Sequence, residues 1–182
     1  MKLNSIYHPI LCIIFLAAAC DAGDRMPPVV NTAVDAKALL AGKHWHVADV
    51  GLKLFSMSES AEDALRSIEW FSAAKSLGEY ETEAREKFTT ASIELSRDSV
   101  ASTVNLGLSG NQTFEITDQE KEDTPAGVRL ELTGGSDDFK DMGITEATYT
   151  YFVLAANEKH LVLQAPNEVN NRKVILLLKV KE

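Results

Sequence analysis

From Val128 to Thr133 the chain keeps a strict alternation: Val128, Leu130 and Leu132 alternate with Arg129, Glu131 and Thr133. A period of two puts the apolar side chains on one face of an extended strand and the polar ones on the other, so one face belongs in a core. Ile93 and Leu95 alternate in the same way with Glu94 and Ser96. Val104, Leu106 and Leu108 are expected to face Phe114 and Ile116 across a turn at Gly110-Asn111, a dipeptide suited to hairpins. Further strands are predicted over Thr148 to Leu154, Leu161 to Ala165 and Lys173 to Val180, with a turn at Asn157-Glu158. Asp118 to Gly127 and Gly134 to Gly143 read as connections. Short strands at this spacing make an antiparallel barrel or sandwich. About eight strands can close into a barrel that is filled by side chains or holds one small ligand. Alternation does not by itself separate that barrel from a β-sandwich, which is the alternative architecture.

Two stretches depart from simple alternation. In the last strand Val174, Leu176, Leu178 and Val180 are apolar on one face and Ile175 and Leu177 on the other, so both faces must be covered. From His44 to Phe55, Trp45 and Val47 are out of phase with Ala48, Val50, Leu52 and Leu54, and a bulge near Asp49 to Gly51 would bring both sets inside. Between these lies a helical insertion at about 57–90. Ala61, Leu65, Ile68, Phe71 and Ala74 form a helical stripe within Ser58 to Leu77, the predicted cover for the last strand. After Gly78, Tyr80, Ala84 and Phe88 suggest a second helix, with Glu81 paired to Arg85 and Glu83 to Lys87.

The N-terminus carries a different message. Lys2, the apolar run Ile10 to Leu16 and the small residues Ala17-Ala18-Ala19 lead to Cys20, and together they resemble a bacterial lipoprotein signal peptide. The resemblance implies removal of residues 1–19 and lipidation of Cys20 with several acyl chains, palmitate-type chains included. That is enough for stable anchoring at the membrane of the cell envelope. A plain secretory signal cut after Ala19 would equally export the chain. Residues 20–41 then read as a tether and a short helix, Ala36 to Leu40 capped by Asp35, and 42–182 as one domain. Cys12, the other of the 2 cysteines, falls in the removed segment, so no disulfide forms within one mature chain. A net charge of −9 opposes nucleic-acid binding.

With Leu39-Leu40-Ala41-Gly42-Lys43-His44-Trp45 opening the first strand behind a short helix, and with closing strands Tyr149 to Val153, Leu161 to Ala165 and Val174 to Val180, the domain resembles the bacterial lipocalin-like lipoproteins. These are eight-stranded up-and-down barrels of the calycin type. The resemblance covers residues 38–182. It implies that Trp45 plugs the closed end of the barrel and that Arg172 or Lys173 packs across it.

For chemistry the sequence offers little. His44 and His46 form half of a metal site that would need Asp49 or His160 to complete it, and they read equally as residues flanking a buried tryptophan. Asp137, Asp138 and Asp141 beside Gly134-Gly135 lack the ligand alternation of a calcium loop and read as a solvated turn. Gly107-Leu108-Ser109-Gly110 is only an approach to a nucleophile motif. No metal, cofactor or catalytic residue is therefore expected, and no enzyme. The expected function is a membrane-anchored binding protein holding a small apolar or amphipathic ligand in the barrel, with Tyr149, Tyr151 and Val153 as lining. The alternative is a filled barrel that docks a protein partner through the helical insertion.

Overall fold

The computed structural model describes residues 26–54, 61–74, 76–118, 127–135 and 146–181. Residues 1–19, expected to be a signal peptide, Cys20, and Asp137, Asp138 and Asp141 lie outside these residues.

Helix α1 (Ala33–Leu40) leads into β1 (Lys43–Leu54). The insertion follows as α2 (Ala61–Arg66), β2 (Glu69–Trp70), a 3₁₀ turn (Phe71–Ala73) and α3 (Glu79–Thr89). Seven more strands complete the domain: β3 (Ser92–Leu95), β4 (Val100–Val104), β5 (Ser109–Thr117), β6 (Arg129–Gly135), β7 (Glu146–Ala156), β8 (His160–Val169) and β9 (Arg172–Val180). Every neighbouring pair from β3 to β9 is antiparallel. β1 pairs with β3 on one side and with β9 on the other. Eight strands thus close on themselves, and the two-residue β2 adds to β1 outside the ring. The architecture is the closed antiparallel barrel, and the β1–β9 ladder excludes the sandwich.

A register shift between Val47 and Asp49 reconciles most of the out-of-phase apolar residues of β1, whereas Ala48, the unpaired residue of the shift, and Leu54 at the strand's end stay exposed, contrary to expectation. The extra residue turns the strand by one position, and Trp45, Val47, Val50 and Leu52 all enter the main core. Both faces of β9 are covered. Val174, Leu176 and Leu178 point into the barrel, whereas Ile175 and Leu177 join Ile68, Ala155 and Val162 in a second cluster on its outer wall. Leu65 and Trp70 of the insertion, with Met26 ahead of α1, pack onto that cluster.

Two local expectations are corrected. The helix predicted over Ser58 to Leu77 is helical only from Ala61 to Arg66, and its first residues lie outside the described set. Beyond it Trp70 and Glu69 pair with Gly51 and Leu52, and Phe71 turns into the main core. Apolar burial against two separate surfaces outweighs the helical period, which would have left all these side chains on one stripe. Gly51 allows this close approach, since a Cβ there would stand 2.7 Å from Ile68 Cγ2 and 3.0 Å from the Glu69 carbonyl oxygen. The second correction concerns the hairpin. Gly110 and Asn111 lie within β5, and the chain turns instead at Asn105 (φ 54°) and Gly107 (φ 90°). That turn buries Leu106 and Leu108 over one mouth of the barrel.

Candidate functional site

The barrel interior is packed. Trp45, Ile93, Leu95, Leu130, Leu132, Leu161, Leu163, Val174, Leu176 and Leu178 are all 0% exposed, so none of them borders a space that would admit even a water molecule. The three residues expected to line a ligand are part of this filling. Tyr151 is 1% exposed and its hydroxyl donates to the Leu106 carbonyl oxygen at 2.8 Å, while Val153 is buried beside it. Burial, and secondarily the neighbouring Tyr149 hydroxyl, pushes the Tyr151 phenol well above its ordinary range, so it stays neutral. Tyr149 is half-buried and lies beneath the turn, where a Cβ on Gly107 would come within 2.9 Å of its ring. The two tyrosines therefore hold Leu106 and Leu108 down as a stopper.

The opposite end is closed by Trp45 and α1. The Trp45 indole N–H donates to the Leu40 carbonyl oxygen at 3.3 Å, and Leu40 is itself fully buried. Lys43, paired with Glu158, lies 5.5 Å from the Trp45 ring centroid. This ammonium covers the tryptophan by a cation–π contact. Arg172 does not, contrary to expectation: Trp45 is opposite Val180, whereas Arg172 is opposite Leu54. Eight residues of β9 separate Arg172 from Val180, about 26 Å at 3.3 Å per residue. Lys173 is equally remote and pairs with Glu168.

Arg172 has another task. Its guanidinium binds Glu69 of β2 and Glu81 of α3, the latter at 2.8 Å, and so clips two elements of the insertion to the start of β9. His44 and His46 lie on the outer wall, opposite Glu94 and Ser92, and His160 is opposite Lys179. Asp49 is engaged elsewhere, accepting from the backbone N–H groups of Val50 and Ser72 and from the Ser72 hydroxyl. Among the described residues no three His, Cys, Asp or Glu side chains converge as metal ligands.

Open space lies outside the barrel, within the insertion. A groove of about 570 Å³ runs between the 3₁₀ turn and α3, lined by Phe71, Ala74, Ser76, Leu77, Thr82, Arg85, Glu86 and Thr89. A smaller hollow of about 120 Å³ adjoins it against Val47 to Val50 and Ser72, and shares Arg85 and Thr89. The hollow has a simple origin. β3 pairs with β1 only as far as His46 and β2 begins at Gly51, so the bulged residues between them have no strand partner on that side. Sequence periodicity concealed this site because a single 58–77 helix leaves no such gap. The signal that marks it is the sheet-forming run Ile68-Glu69-Trp70-Phe71 inside the helical stripe.

Comparison with protein-family models, with curated proteins and with solved structures finds no match to this chain.

Proposed function

We propose that this chain is a lipid-anchored, non-enzymatic binding protein of the cell envelope, in which the barrel is a scaffold and the insertion is the working surface. One observation carries the reading: among the described residues the core side chains from Trp45 to Leu163 and Leu178 are fully buried, while a groove opens in the insertion. A container needs an internal void of several hundred Å³. The binding role therefore moves from the barrel to residues 71–89. Support for the anchor comes from the sequence leading to Cys20.

Two measurements test the two halves of this reading. Expressed with its own N-terminus in a bacterium, the chain is expected to sediment with membranes and take up labelled palmitate, and Cys20→Ser to lose both properties. A photo-crosslinking amino acid placed at Thr82 is expected to capture envelope components that the same group at Glu115, on the barrel's exposed outer wall, does not. Equal capture at both positions would remove the insertion as the binding surface.

A further inference from the structure

We infer that the groove between Phe71 and α3 binds a small amphipathic anion, a chain of methylenes ending in a carboxylate or a comparable single negative head, with Arg85 as its counter-ion. The inference rests on the insertion being the working surface and specifies what that surface takes.

The argument starts from a helix pair that does not form. Glu81 is four residues before Arg85, the spacing at which the two would neutralise each other along α3. Its carboxylate is taken instead by Arg172 at 2.8 Å. Among the described residues Arg85 has no ion-pair partner, and it lines both the groove and the adjoining hollow. It is the charged side chain common to the two spaces. Two carboxylates share the lining, Asp49 in the hollow, where it accepts from Val50 and Ser72, and Glu86 in the groove, and among the described residues neither is within ion-pair distance of Arg85. Phe71, Ala74 and Leu77 supply apolar wall for a hydrocarbon tail. An unpaired guanidinium beside an apolar trough suits a ligand with one negative head.

The sign of the ligand gives the test its force. A chain of net charge −9 attracts cationic amphiphiles nonspecifically, so a preference for an anion requires a local cause. Decanoate and decyltrimethylammonium, titrated below their micelle concentrations into the purified protein and followed by Trp fluorescence and calorimetry, share a tail and differ in charge. Decanoate is expected to bind about fivefold more tightly than the cation, the scale of one partly exposed ion pair. Arg85→Gln should abolish that preference and Arg85→Glu reverse it. Lys179→Gln, on the outer wall, should leave it intact, and all variants should keep the wild-type melting temperature. No decanoate binding, equal binding of both amphiphiles, or an unchanged preference in Arg85→Gln would overturn the inference. Any of these outcomes alongside retained crosslinking at Thr82 would spare the insertion as a docking surface; loss of both would sink the wider reading as well.

Discussion

Glu81 and Arg172 meet at 2.8 Å across ninety-one positions of sequence. The contact joins the first turn of α3 to the start of the last strand, and Glu69 on the same guanidinium ties in β2. One cation thereby fixes the insertion against a barrel that would otherwise touch it mainly through apolar contacts.

The first prediction concerns this clip. Glu81→Gln and Arg172→Gln are each expected to lower stability by about 1 kcal/mol, with a coupling of about 0.5 to 1 kcal/mol for a pair that is partly shielded from solvent. Urea midpoints of the two single variants and the double variant measure it. A coupling near zero would mean that the pair does not hold the insertion.

Gly51→Ala should act on the same interface by crowding. The added methyl meets Ile68 and the Glu69 carbonyl oxygen at 3.0 Å or less, so β2 must move off β1. A loss of about 1 to 3 kcal/mol is expected. Faster amide exchange at Glu69 and Trp70, with unchanged exchange in β6 and β7, would place the damage in the insertion rather than the barrel.

Tyr151→Phe removes the hydroxyl that satisfies the buried Leu106 carbonyl oxygen, at a cost of about 1 to 2 kcal/mol. It should also change the response to alkali. The folded protein holds the Tyr151 proton more tightly than the unfolded chain, whose phenol titrates near pH 10. This stabilisation is complete below that pH and is lost above it, because the unfolded state ionises first. Between pH 9 and pH 11, wild-type stability should fall more steeply than that of Tyr151→Phe. Parallel urea midpoints across that range would remove Tyr151 as the source.

Lys43→Gln tests the cover of the barrel-end tryptophan. Loss of the cation above Trp45 and of the pair with Glu158 is expected to cost under about 1 kcal/mol, as for partly exposed contacts. Trp45→Phe leaves a cavity and should cost several times more. In a Trp70→Phe background, where Trp45 is the remaining fluorophore, Arg172→Gln should leave the emission unaltered, since it acts at the other end of the barrel.

Where one face met one environment, the fold was readable in advance. The alternation of Leu130 and Leu132 with Glu131, the two apolar faces of β9 and the phase break near Asp49 each pointed to its structural cause. The errors arose where a residue answered to two demands. Gly110-Asn111 has hairpin composition, but Asn105 and Gly107 make the turn because Leu106 and Leu108 bury themselves over the mouth when the chain reverses there. Ile68 and Phe71 fit one helical stripe, but they enter different clusters on opposite sides of the barrel wall. The role of Arg172 was assigned by resemblance to the wrong end because strand register, which places it opposite Leu54, is not encoded in its neighbours. The groove was invisible for the same reason, as it exists only where β2 and β3 fail to meet along β1.

The β1–β9 ladder couples the first strand of the domain to the last, and only the arrival of residues 172–180 completes the ring. A chain that emerges N-terminus first, from a ribosome or through a narrow translocation pore, therefore cannot close while it is still in passage. β1 must wait with an unsatisfied edge until more than a hundred further residues have followed it, so a contact this distant in sequence makes folding slow. The seam between the first and the final strand is thus the last part of the ring that synthesis makes available.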